Sequence, residues 1–151
     1  VSAAPPRPAS LARRLGSAIY DLLITIALAM IATFPFLLAF GDATHGWKRH
    51  LLQAWIVAAI GAYYVVFWTR GGQTLPMKTW RIRLVRSDTG GPVNAGRAVH
   101  RYLLAVLGLA AVGLGFAWAL VDRDRLFLHD RLAGTMLALD ERPREPRNAA
   151  P

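Results

Sequence analysis

LLITIALAMIATFPFLLAF, residues Leu22–Phe40, is a run of nineteen consecutive uncharged residues, most of them apolar. Extended back through the turn that begins at Leu15, it exceeds the ~20 residues a helix needs to cross a hydrocarbon core about 30 Å thick. It predicts a first transmembrane helix. Pro35 has no amide hydrogen and its ring crowds the carbonyl of Ile31, so a kink or an early end is expected there. Two more runs follow. Leu51–Trp68 has eighteen residues with Gln53 as its one strongly polar member, framed by Trp47 and Trp68 where interfacial rings collect. Tyr102–Val121 has twenty uncharged residues.

Composition agrees with these runs. Of 151 residues 54% are hydrophobic and 18% charged, too few charges to cover a soluble globule of this size. The net charge of +9 raises the question of nucleic acid. The basic residues, however, are excluded from the apolar runs and collected between them, as in membrane proteins that meet anionic headgroups, so the lipid bilayer is the expected partner and nucleic acid is not. There is no cysteine, and the four histidines, His45, His50, His100 and His129, show no ligand spacing, so no metal site or cofactor is expected. A signal peptide is a poor match, because the run after Arg13 and Arg14 is long and lacks a convincing cleavage site.

Between the runs the chain has local pattern. Trp80–Arg86 alternates apolar and basic residues with nearly a period of two, which predicts a half-buried strand, and Ser87–Pro92 reads as a turn. From Asn94 onward, Ala95, Val99 and Leu103 share one helical face while Arg97 and Arg101 share another, an arrangement expected to lie along the membrane surface or lead into the third run. Thr135–Leu139 is apolar enough for a short strand. The expected fold is an all-α integral membrane protein of three hydrophobic helices with a short β element in a cytoplasmic loop. Residues 1–12 are expected to form a disordered lead, 13–140 the transmembrane domain and 141–151 a disordered tail.

Three Lys and Arg precede the first span, two lie in the connector Gly41–His50, seven in Thr69–Arg101 and six after Val121. The positive-inside rule places the N-terminus and long loop in the cytoplasm. The tail conflicts with three crossings: it carries six arginines, and its strand would find a partner in Trp80–Arg86. The third run therefore either spans or folds back as a re-entrant pair of short helices, and the full span is the preferred reading. Within it Gly108, Ala111, Gly115 and Ala119 form a stripe without bulk that suits close packing of a second helix, in a homo-oligomer or with another membrane protein.

The charges at the edges of these runs limit function. Asp21 is a carboxylate one turn inside the first helix, costly in lipid. Arg14, Ser17, Asp21 and Thr25 share one face at steps of three or four. Arg14 and Asp21 are two turns apart, about 10.5 Å along the axis, so each should reach a group elsewhere in the fold. In His129-Asp130-Arg131-Leu132-Ala133-Gly134-Thr135, Asp130 could meet Arg14 or a basic residue of the loop. Adjacent His129 and Asp130 side chains diverge and no serine is placed for activation, so no catalytic residue and no enzyme is expected. Gly71-Gly72-Gln73-Thr74 lacks the lysine spacing of a phosphate-binding loop and reads as a tight turn.

These same residues carry a resemblance. Arg14-Leu15-Gly16-Ser17-Ala18-Ile19-Tyr20-Asp21, Gly72-Gln73-Thr74-Leu75 followed by Arg83-Leu84-Val85, and His129–Thr135 resemble the three motifs of the RDD family of small bacterial membrane proteins, named for one arginine and two aspartates. The similarity runs from about Arg13 to Leu139 and implies that Arg14, with Arg13 as the alternative, carries the arginine, and that Asp21 and Asp130 carry the aspartates. The family's central motif often places Gly-Lys after the leucine; here Pro76-Met77-Lys78 shifts the lysine. The resemblance implies two classes of function. One is a small oligomeric ion or solute transporter, or transport accessory, using Asp21, Asp130 and Arg14. The alternative is a membrane scaffold or assembly factor in which these residues are structural.

Overall fold

The computed structural model describes residues 7–111, 118–122 and 126–140. Helix α1, Leu11–Phe40, and helix α2, Gly46–Arg70, dominate it. At 1.5 Å per residue their 30 and 25 residues extend about 45 and 37 Å, beyond the ~30 Å hydrocarbon core. Partners along the pair run in opposite order: Lys48 with the carbonyl of Phe40, Trp55 with that of Ala32, Tyr64 with the hydroxyl of Thr25. The two helices are therefore antiparallel. The outer surface of α1 carries Leu23, Ile26, Met30, Ile31, Phe34 and Leu38, all half or more exposed, which water would not tolerate and a bilayer requires. Among the described residues these two helices are long and apolar enough to span. The protein is thus a largely helical, multi-pass membrane protein.

The early end expected at Pro35 does not occur, because α1 continues to Phe40. One turn before the proline, Trp55 Nε1 donates to the carbonyl of Ala32 at 2.8 Å, so the neighbouring helix contributes hydrogen bonding where the ladder is weakened.

Apart from the connector 41–45 at the far end and the helix Ala95–Ala110, whose Tyr102 hydroxyl donates to Val57 O part-way along α2, the remaining described residues gather at one end of the pair. Thr74 caps the short helix α3, Leu75–Thr79, with Pro76 in its first turn. Strand β1, Ile82–Arg86, follows, and a turn in which Gly90 N donates to Arg86 O at 2.9 Å. Arg86 grips Asp88 with two hydrogen bonds and holds its carboxyl down at about 2. Helix α4, Ala95–Ala110, is capped by Asn94; a 3-10 turn covers Trp118–Leu120, and the five-residue helix α5, Leu128–Leu132, leads into strand β2, Thr135–Leu139. The strands pair antiparallel from Ile82↔Leu139 to Arg86↔Thr135, so both expected strands form and are partners. Ile82, Leu84, Leu137, Met77, Val93, Ala98, Tyr102 and Trp68 make the apolar core of this cap.

Three expectations need correction. Among the described residues the preferred third crossing is not found. Arg101 at the start of the run and Asp130 beyond its end form an ion pair, so the described residues flanking the run lie together at the same end of the molecule. Residues 112–117 within it lie outside the described residues, as do 1–6 and 141–151 of the expected lead and tail. Second, Arg7–Ala9 is no disordered lead: Ala9 N donates to Leu137 O at 2.8 Å and Leu139 N to Arg7 O at 3.0 Å. Pro8 sits between them on the sheet edge, where its missing N–H costs no ladder bond, and Ala9 joins the core. Third, Trp68 is no interfacial marker. It is buried in the cap, while Trp47 at the other end of α2 is exposed. Of the small-residue stripe, Ala111 is exposed, Gly115 is outside the described residues and Ala119 is buried against its own chain.

Candidate functional site: a buried arginine and aspartate cluster

The cap seals a set of charged and polar side chains that no single element holds. The N-terminal turns of α1 supply Arg14 and Ser17, both 2% exposed, with Asp21 one turn on. The turn after α2 supplies Gln73 and Thr74, and Gln73 Nε2 donates to Ile82 O and to Asp140 Oδ2 at 2.8 and 3.0 Å, fastening turn to sheet. Thr74 Oγ1 donates to Asp21 Oδ2 at 3.0 Å and Ser17 Oγ to the same oxygen at 3.4 Å. One helix turn deeper, Thr25 Oγ1 donates to the carbonyl of Asp21 at 2.8 Å and meets Tyr64. Asp21 thus reaches the loop as its spacing demanded.

The second half is built from α4 and α5. Arg101 donates from Nε to Asp130 Oδ1 at 2.8 Å, its Nη2 makes an ion-pair contact with the same oxygen at 2.8 Å, and the guanidinium lies 4.3 Å above the Trp68 ring. Arg101 is 5% exposed and Asp130 fully buried. Thr135 Oγ1 lies 3.5 Å from the same carboxylate oxygen. The two halves are joined electrostatically: Arg14 feels Asp130, and Asp21 feels Arg101. Two arginines face two aspartates, so the formal charge of the set is zero. That balance allows four ionisable groups to be enclosed at the end of a membrane helix pair, where an unpaired charge would cost several kcal/mol.

His129 is buried beside Asp130, its Nε2 3.9 Å from Oδ1, and stacks on Phe127 at 5.4 Å. Burial pushes its imidazole down to about 4, against the pull of Asp130 and with the help of Arg101. At neutral pH it is an uncharged packing group. Because the folded value lies below the 6.5 of a free imidazole, the unfolded chain binds the proton more readily, and the stability present at neutral pH is lost as pH falls from 6.5 toward 4. At pH 5 the expected loss is about 2 kcal/mol, and His129→Gln should flatten that part of the profile of unfolding in detergent.

The structure brings Arg14, Asp21 and Asp130 into one cap and adds Arg101, Gln73, Thr74 and His129. Among the described residues no group of three or more His, Cys, Asp or Glu could hold a metal ion. The RDD family model matches residues 8–134, a range that takes in Arg14, Asp21 and Asp130. The chain belongs to the RDD family. No curated protein and no solved structure matches the chain. In this RDD-family chain Arg14, Asp21 and Asp130 are spread over two neighbouring centres. Asp21 takes hydroxyl donors, Asp130 takes the guanidinium of Arg101, and Arg14 lies within electrostatic reach of Asp130.

Proposed function

We propose that the chain is a membrane scaffold or assembly factor, neither an enzyme nor a transporter, in which the arginine and aspartate cluster locks a soluble-facing cap onto two spanning helices. The observation that carries this is the fully buried Arg101–Asp130 pair, which fastens α5 and the start of β2 to α4. Both guanidinium contacts fall on Asp130 Oδ1, which ties this carboxylate to Arg101 as a structural partner, while Oδ2 is buried without a hydrogen bond. Orientation follows from charge. Every described Lys or Arg except Lys48 and Arg49 belongs to the cap end, so the positive-inside rule puts N-terminus, cap and tail in the cytoplasm of a bacterial inner-membrane protein. A tail that returns to the loop removes the conflict its arginines posed for three crossings.

A second reading rests on Asp21 Oδ1, a buried oxygen that accepts no hydrogen bond. A transported proton or cation would use that oxygen. Reconstitution separates the two. On the scaffold reading, proteoliposomes under an imposed proton or sodium gradient leak no faster than empty vesicles, and Asp21→Asn lowers folding stability by about 1 to 2 kcal/mol through weakened hydroxyl donation. Flux above the empty-vesicle rate that Asp21→Asn abolishes in a folded protein would overturn the scaffold assignment.

A further inference from the structure

The outer face of α1 just below the cap carries Arg13, Gly16 and Tyr20, spaced to lie one above another. Trp80 covers them. A Cβ on Gly16 would come within 2.5 Å of the indole, so glycine is what lets the ring lie against the helix. Tyr20, more than half exposed, meets the same indole with centroids 6.3 Å apart. Beyond Tyr20 the helix surface turns to exposed Leu22, Leu23 and Ile26. The aromatic pair therefore stands at the boundary of the lipid-facing segment, where amphipathic rings settle.

Three cations surround this pair. Arg13 Nη1 donates to Trp80 O at 3.3 Å. Lys78 and Arg81 flank the tryptophan in a turn closed by Arg81 N to Lys78 O at 3.2 Å. All three side chains are exposed, and among the described residues none forms an ion pair with an acid. Asp140, whose amide donates to Arg81 O at 2.9 Å, accepts from Gln73 at Oδ2. Arg81 also has φ +52, the one positive φ outside glycine among the described residues. An arginine in that conformation is strained, and strain kept at an exposed, unpaired cation points to use of the cation.

We propose that Arg13, Lys78 and Arg81, around the Trp80–Tyr20 pair, bind the phosphate of an anionic glycerophospholipid, with the two rings as the apolar floor for its glycerol and upper acyl chain. Guanidinium and ammonium groups at this height meet headgroup phosphates, and Arg13, seven residues before Tyr20, reaches about 10 Å further out along the axis. The site stands whether or not the chain moves an ion.

The test uses the purified full chain in phosphatidylcholine nanodiscs, with phosphatidylglycerol titrated in and bound lipid counted by native mass spectrometry beside a thermal midpoint. Phosphatidylglycerol should be retained and raise the midpoint. Arg81→Gly removes one charge and the strained conformation together, so it folds at least as well without anionic lipid, and it should bind phosphatidylglycerol roughly fivefold more weakly. Arg13→Gln/Lys78→Gln/Arg81→Gln should lose on the order of a hundredfold. Arg49→Gln, at the opposite end of α2, should bind as the wild type does. Retention of phosphatidylglycerol by the triple variant, an equal loss in Arg49→Gln, or the same midpoint shift with inorganic phosphate at matched ionic strength would each overturn the proposal.

Discussion

Asp130→Ala is expected to cost roughly 3 to 5 kcal/mol of folding stability, enough to remove most of the protein from the folded pool. The carboxylate is fully buried and takes a 2.8 Å hydrogen bond and a 2.8 Å ion-pair contact from one guanidinium. Deleting it leaves Arg101 enclosed above Trp68 with no counter-charge but the more distant Asp21. Most of the loss is that stranded charge rather than the value of the pair itself. The double variant Arg101→Met/Asp130→Leu should therefore recover a large part of it, since apolar groups of similar volume fill the same space. Thermal or denaturant unfolding of the two variants in detergent reads the difference. A double variant as unstable as the single one would mean that the ion pair has a role apolar packing cannot replace, and the structural-lock assignment would fall.

Which basic residue of the loop Asp130 meets was hidden in the sequence for a physical reason. Arg97 and Arg101 read as one face of a helix along the membrane surface, with Ala95, Val99 and Leu103 as the other. In the molecule Val99 and Leu103 are exposed, while Ala98, Arg101 and Tyr102 are buried. Next to a bilayer the apolar face has lipid to meet, so the polar face can turn inward to a charged partner, and amphipathicity alone does not say which side is the inside. Hydropathy had the same limit along the third run. It measures whether twenty residues suit hydrocarbon, not whether the chain ends where it began, and only the tail's arginines and its predicted strand hinted at the return. Leu22–Phe40 was legible because its length is set by membrane thickness, and Trp80–Arg86 with Thr135–Leu139 because a period of two has one structural meaning. Arg14, Ser17 and Asp21 were legible as a face because helical spacing is rigid. Gln73 and Thr74 were not, since a turn shows its glycines in sequence and conceals which side chains it seats. Arg7–Ala9 was masked by prolines, whose composition mimics disorder although an edge strand accepts them.

That turn is the more sensitive place to test the cap as a unit. Gly72 has φ +70, and its carbonyl accepts from Leu84 N at 2.6 Å, so the turn after α2 is pinned directly onto β1. A Cβ at this position would lie 2.9 Å from the carbonyl oxygen of Leu84, a backbone atom of a paired strand that cannot swing aside. Gly72→Ala combines an unfavourable backbone conformation with overpacking, each worth about 1 to 3 kcal/mol, and is expected to destabilise by roughly 2 to 5 kcal/mol. The loss should be cooperative, because Gln73 and Thr74 follow immediately and carry the hydrogen bonds to Ile82, Asp140 and Asp21. If the turn shifts, the hydroxyl donor of Asp21 and the amide fastening of the sheet go together. A combined Gly72→Ala/Thr74→Val variant should then be less destabilised than the sum of its parts, since the alanine has already taken away what the valine removes. Full additivity in unfolding experiments would show that turn and carboxylate are energetically separate, and that the cap is a set of independent contacts rather than one lock.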